Sequence, residues 1–416
     1  MLIVLLVFLF HNFPCNRLAK GHKKMKRLAT IFGITVFVCL IFYSQSFGNE
    51  NLSETAVPET ISPGLIHLLE LVDPEKQVDF DSRRVAGVLN FIEIPKRQHV
   101  LYYADKRTGS PSAYYDFDIH RNLEDIIKYA FNPDIPAIAM TPSSTRLARW
   151  QPDGNGGQTY SGLWKELAGL KRPIVIKGTE LLENTPDTFS GAYYKYDLYR
   201  TVVLFEYRHR NVLISISKQK DVSQVGHKGY LMGPDENWDY FYSGKPGLTV
   251  SGLGWVRSYM YDSYGISIYY EIDAQSPTVR CATFRWVRAG WSRFNVVKPF
   301  HIYKGSLRFA TTFKEIMEST HLPDVDVLVN AFSRIMNLSV EELKEKLKLY
   351  VDILKKRYGQ VPSKSVKWSP RIFEDKLQWP EMSKEEMQSA LVVEYMKYVL
   401  GKTNLGEVNA LLSLPE

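Results

Sequence analysis

Thr201-Val202-Val203-Leu204-Phe205-Glu206-Tyr207, then Arg208-His209-Arg210-Asn211, then Val212-Leu213-Ile214-Ser215-Ile216-Ser217: this stretch decides the fold. β-Branched and aromatic residues crowd both runs, as strands prefer, and the short polar break between them is a hairpin signal. The second run alternates. Val212, Ile214 and Ile216 face one way, Ser215 and Ser217 the other, the pattern of a half-buried strand.

Working outward, Tyr193 to Tyr199 leads into the first run, and the pattern resumes at Ile266. Ile266, Ile268, Tyr270 and Ile272 share a face opposite Ser267, Tyr269, Glu271 and Asp273. After a turn at Ala274 to Pro277, Ala282, Phe284 and Trp286 oppose Cys281, Thr283 and Arg285. Val296 to Tyr303 reads as one more short strand. Such alternation with short connections predicts antiparallel strands with one face on a core.

On the N-terminal side, Ser62-Pro63 opens a short helix through Val72, and Val85 to Ile94 and Val100 to Tyr103 read as strands. Asn122 caps a helix that Asn132-Pro133 stops, and Gln151 to Gln158 is a glycine-rich loop. Beyond Tyr303 the apolar period becomes helical, with capping boxes at Ser339/Glu342 and Ser383/Glu386 and a Pro/Trp-rich crossing from Val361 to Pro380. The fold class is therefore α+β: a central curved antiparallel β-sheet (191–310), a mixed α/β N-terminal region (49–190) and a helical C-terminal region (311–416).

The leader sets the compartment. Met25-Lys26-Arg27 precedes an apolar run from Ala29 to Tyr43, and Ser46-Phe47-Gly48 ends in small residues. Basic n-region, apolar h-region and small-residue exit make residues 25–48 a signal peptide, and residues 1–24 an upstream extension from a mis-assigned start. Six of the 52 basic residues lie in 1–48 with no carboxylate, which leaves 46 against 45 acidic residues in the rest. That near-neutral remainder carries no electrostatic footprint for nucleic acid. Of the three cysteines, Cys15 and Cys39 lie in the leader, so the mature chain keeps Cys281 alone and forms no internal disulfide. Export with no disulfide points to a bacterial periplasmic or secreted protein, with no stable transmembrane domain once the signal is cleaved.

Two groups of residues could carry chemistry. The first lies in Gly226 to Gly254, a segment with seven glycines, read as a long loop between strands. Tyr230, Trp238, Tyr240 and Tyr242 offer aromatic faces for CH surfaces; Asp235, Glu236 and Asp239 offer acceptors for hydroxyls. Together they suit a saccharide or another amphipathic ligand, with Trp238 nearer the rim; the competing reading is a packed segment whose aromatics cap the sheet. The second group is Asp116, Asp118 and His120, which share a face if extended and offer ligands to a divalent metal. The competing reading is the polar face of a strand. No nucleophile elbow, zinc-protease motif or phosphate loop occurs, and no motif calls for a cofactor.

The functional expectation is an exported, non-catalytic envelope protein that binds a saccharide, a lipid-like ligand or a protein partner. The alternative is a carboxylate-dependent hydrolase of envelope polysaccharide, which needs two carboxylates facing each other roughly 5–10 Å apart. The leader makes the first testable statement. Chain made from Met25 in a bacterial host should be cleaved after Gly48, so that Edman sequencing of the soluble product starts at Asn49; recovery of residues 28–43 in the membrane fraction would refute it.

Overall fold

The computed structural model describes residues 52–97, 99–152, 160–250, 254–273, 276–358 and 382–403. The leader, most of the Gln151–Gln158 loop and the Val361–Pro380 crossing lie outside them.

The alternating centre folds as its pattern dictates. β7 (Lys195–Tyr207) and β8 (Arg210–Gln219) pair antiparallel across a two-residue turn. Arg208 and His209 both sit at positive φ there, 52° and 59°, the conformation that matches the twist of the flanking strands. β13 (Tyr259–Asp273) pairs with both β8 and β14 (Thr278–Trp291). The N-terminal region adds strands on both sides. β3 (Ser112–Ile119), β2 (Val100–Tyr103) and β1 (Ser53–Ala56) extend the sheet beyond β14; β5 (Ile174–Asn184) and β4 (Thr145–Pro152) extend it beyond β7. With the short β15 (Phe294–Asn295) paired to β14, the sheet has ten strands, antiparallel except where β1 meets β2.

Both faces of this sheet are covered. On one, helices α1 (Ser62–Leu71) and α2 (Ser82–Glu93) pack on Val212, Ile214, Ile216, Ile266, Ile268, Ala282, Phe284 and Trp286. The segment from Val85 to Ile94 is thus a helix rather than the strand its β-branched residues suggest. The Asp81 carboxylate caps it by accepting from the Arg83 amide, and Val85, Val88, Leu89 and Ile92 fall on one helical face.

On the other face, α3 (Leu123–Ala130), the short α4 (Ala137–Met140) and the C-terminal helices α5 (Pro299–Glu318), α6 (Val325–Asn337), α7 (Val340–Tyr358) and α8 (Lys384–Val399) build a larger core with Leu204, Leu213, Tyr269 and Cys281. Val296 to Tyr303 is a second correction: Pro299 starts α5, where its fixed φ and missing N–H favour a first helical turn. The boxes at Ser339/Glu342 and Ser383/Glu386 cap α7 and α8 as read from the sequence. Among the described residues no helix is long and apolar enough to cross a membrane.

His67 on α1 gives the fold a sensitivity to acid. It is fully buried, and its Nε2 accepts the Asp81 amide at 3.1 Å. Burial first, and then the Arg84 charge, hold its pKa below the ordinary 6.5. The unfolded chain therefore takes up this proton before the folded one. The stabilising contribution is complete above about pH 6.5 and is lost as pH falls through the folded-state value. Urea unfolding of the parent should weaken between pH 7 and pH 5 by more than that of His67→Gln; equal pH dependence in both would discard the assignment.

Candidate functional site

The segment from Gly226 to Gly254 is not a loop laid over the sheet. His227–Leu231 (β9) and Tyr240–Pro246 (β10) form a hairpin that joins Ala192–Tyr193 (β6) in a second, three-stranded sheet. A 3₁₀ turn at Asp235–Asn237 makes its bend, and the short strands β11 (Leu248–Val250) and β12 (Gly254–Val256) follow in the chain. Trp238 follows that turn at φ 56° and is 2% exposed, inside the helical core rather than at a rim. Tyr240 is buried beside it and donates to the Asp235 carboxylate at 2.7 Å.

The carboxylates of this segment are committed to the C-terminal helices. Asp235 takes a fork from Arg308 on α5, at 2.6 and 2.7 Å. Asp239 is buried, accepting from Lys397 Nζ at 2.5 Å and from Tyr358 Oη at 2.6 Å. Lys397 also donates to Glu394 at 2.5 Å. Burial works against the Lys397 charge, but Glu394 and Asp239 outweigh it and hold its pKa above the ordinary value. Glu236 is exposed, and its carbonyl accepts from Lys402. Tyr242 lies beneath the Arg146 guanidinium, 3.8 Å from ring centre to Cζ, and Arg146 bridges Glu183 and Glu386. Tyr230 is half-buried and stacks on Phe241. These are the contacts of a fastener between the small sheet and the helices.

The proposed metal ligands do not converge. Asp116 accepts from Tyr114 Oη at 2.9 Å, and Asp118 takes a fork from Arg280 at 2.7 and 2.9 Å. His120 lies past the end of β3, where its Nδ1 and backbone amide both meet Glu318 of α5 at 2.8 Å. Among the described residues no three His, Cys, Asp or Glu side chains gather closely enough to hold a metal ion.

The residues that do converge lie on the sheet face read from the sequence as merely polar. Residues paired in register project to the same side of a sheet. One register row runs Tyr115, Thr283, Ser267, Ser215, Val202. The next runs Ala113, Arg285, Gly265, Ser217, Arg200, Gly178. A third runs Gln219, Leu198, Glu180, Trp150. These rows form a polar band between two apolar clusters: Cys281 and Tyr269 belong to the helical core, whereas Val287 and Ala289 pack in a small cluster with Tyr194, Tyr196 and Met260.

Thr283, Ser267, Ser215, Ser217 and Gln219 in this band are all buried. Arg200 donates to Glu180 from Nε at 2.7 Å and from Nη2, and its Nη1 donates to Ser215 at 2.8 Å. Burial opposes the Arg200 charge, and Glu180 overrides that, leaving its pKa raised. Arg285 is held differently. Its guanidinium lies over Gly265, where an added Cβ would meet Nη1 at 2.4 Å, and it donates to Ser267 at 3.2 Å. Among the described residues it meets no carboxylate. Burial and the neighbouring Arg200 charge lower its pKa.

Aromatic rings wall the band on one side. Trp150 lies over Gly178, with Tyr160 4.5 Å from it between ring centres; Phe131 links Tyr160 to Tyr269. Among the described residues, three buried polar atoms here have no hydrogen-bond partner: Trp150 Nε1, Tyr160 Oη and Gln219 Oε1. Burial pushes the Tyr160 hydroxyl pKa up, so it stays a neutral donor and acceptor. A donor, an acceptor, a hydroxyl and an under-coordinated guanidinium on one face are the complement of a ligand rich in oxygen. The signal for this site was in the sequence, in the Ser, Thr and Arg residues of the alternating strands. What the sequence did not reveal is that helices from elsewhere in the chain cover that face.

Comparison with known proteins yields no match to a family model, to a characterised protein or to a solved structure.

The two places respond differently to substitution. Trp238→Ala empties a large buried volume and should cost on the order of 3–5 kcal/mol of stability in chemical denaturation. A loss below about 1 kcal/mol would contradict its placement in the core.

Proposed function

We propose that the protein is an exported, non-catalytic binding protein of the bacterial envelope, and that it holds a saccharide against the polar band of the large sheet. One observation carries the reading: among the described residues, Trp150, Tyr160 and Gln219 leave three buried polar atoms without partners on the same face as four buried hydroxyls and two arginines. Buried polar groups cost free energy unless they are hydrogen-bonded, so a face of this kind calls for an occupant that supplies oxygen atoms. A sugar offers hydroxyls that both donate and accept, and an apolar ring face for Trp150 and Tyr160. A lipid chain would leave the same atoms unpaired. Export rests on the leader in residues 25–48.

Hydrolysis finds less support. It asks for two carboxylates across a cleft, and the band supplies Glu180, already tied to Arg200. Asp235 and Asp239 are tied to Arg308 and Lys397.

Gentle purification followed by mass spectrometry of the released small molecules should recover a carbohydrate, and calorimetric titration with a panel of sugars should reproduce its binding. Tyr160→Phe should weaken the best binder roughly fivefold, the worth of about 1 kcal/mol for a hydrogen bond. Ser217→Leu, which fills the floor between Arg200 and Arg285, should abolish binding in a protein that remains folded. Full binding by both variants would move the site elsewhere.

A further inference from the structure

The charges of the band do not balance. Arg200 and Arg285 stand three register positions apart on one row, with Gly265 and Ser217 between them, and Glu180 is spent on Arg200. A guanidinium has five N–H donors. Arg285 uses one of them, on the Ser267 hydroxyl, and meets no carboxylate among the described residues. Its position is nevertheless a built one. Gly265 is the residue directly beneath the guanidinium, and any side chain there would collide with Nη1 and with Ser217 Oγ, at 2.4 and 2.9 Å. A charge kept at the edge of a buried polar surface without a counter-charge is costly, and the cost is relieved when an anion binds. Around it the hydroxyls of Ser217 and Ser267 offer further donors.

We infer that the ligand of this band is an anion, and that Arg285 receives its carboxylate or phosphate group while the remainder of the ligand extends along the row toward Arg200, Trp150 and Tyr160. The inference deepens the saccharide reading, on which it rests for the identity of that remainder: the ligand class is an acidic sugar, a uronic acid or a sugar phosphate. Planar, two-pronged recognition of a carboxylate or phosphate is what an arginine supplies and a lysine does not. Burial and the nearby Arg200 lower the Arg285 pKa by more than Glu180, which is bonded to Arg200, raises it.

Glucose, glucuronate and glucose 6-phosphate, with acetate and inorganic phosphate as fragments, test this at constant ionic strength. Calorimetry gives the affinities, and the arginine Nε–Hε NMR signals, assigned through Arg285→Gln, report on the guanidinium. Glucuronate or glucose 6-phosphate should bind at least tenfold more tightly than glucose, and Arg285→Gln should erase that preference while Arg285→Lys keeps part of it. Which of the two wins separates carboxylate from phosphate. Should Arg285→Gln fail to fold, Arg285→Lys, which also removes the Nε–Hε signal, assigns it instead, and movement of that signal in the parent together with the Arg285→Lys affinities decides the matter. Equal binding of glucose and its anionic derivatives would overturn the inference and leave the saccharide reading standing. Binding of acetate or phosphate at Arg285, with no binding of any of the three sugars, would uphold the anion site and remove the saccharide reading. An Arg285 signal that no probe moves would overturn the inference outright.

Discussion

The register of the central strands is the constraint on which everything else depends. With a side-chain period of two, each of β8, β13 and β14 divides its residues between two destinations, and a slip of one residue would exchange them. Held in register, Val212, Ile214, Ile266, Ile268 and Phe284 meet α1 and α2, and burial of each large apolar side chain contributes roughly 1.5–3 kcal/mol. The same register delivers Ser215, Ser217, Ser267, Thr283, Arg200 and Arg285 to the opposite side as contiguous rows. The polar band thus follows from the pairing that builds the core: the strands cannot form one without presenting the other.

A face of that polarity is an unusual thing to bury. Serine and threonine hydroxyls can be hidden cheaply when they hydrogen-bond locally, and Thr283 does so, donating to the Tyr115 carbonyl at 3.3 Å. Arg200 is neutralised by Glu180. Covering Gln219 Oε1 and Tyr160 Oη brings no comparable return among the described residues, although the Gln219 amide nitrogen donates to the Asp221 and Met260 carbonyls. Helices α5 to α8 and the Trp150–Tyr160 wall enclose neighbouring positions nonetheless, because the apolar residues on either side of the band require it. Other buried polar atoms, among them His67 Nδ1 and Trp238 Nε1, also lack partners among the described residues, but the band gathers three on one face beside Arg285, whereas Asp239, Asp235 and Asp118 are each tied to a cation.

Much of the fold was legible in the alternation itself. The faces of β8, β13 and β14 were assigned residue by residue, and the hairpin at Arg208-His209, the Asn122 cap and both Ser/Glu capping boxes are where the residues place them. Val85 to Ile94 reads as a strand because Val and Ile favour strands locally, while the helix there is set by the Asp81 cap and by contacts with α1 that lie outside any short window. Val296 to Tyr303 reads as a short strand around Pro299, whereas Pro299 is the first residue of a helix. The site was legible only as composition. Gln219 and Trp150 are nearly seventy positions apart in the chain, and the register of four strands is needed to bring them into one row.

The glycine-rich segment shows why residue type misleads where partners are remote. Aromatics and carboxylates together are the equipment of a sugar site, yet they are equally the equipment of a buried fastener. The difference is whether cations from elsewhere arrive to claim the carboxylates. Arg308 comes from α5 and Lys397 from α8, 73 and 158 residues along the chain. Breaking a buried pair of this kind costs about 3–5 kcal/mol, so these carboxylates cannot be lent to a ligand without loosening the C-terminal helices. Arg285 is in the opposite position. It has a fixed seat over Gly265, a neighbour of its own charge and a single hydroxyl partner, so binding an anion would break nothing and would complete an arrangement that the fold leaves open. Availability, more than residue type, favours the face of the sheet over the hairpin as the place we propose for the ligand.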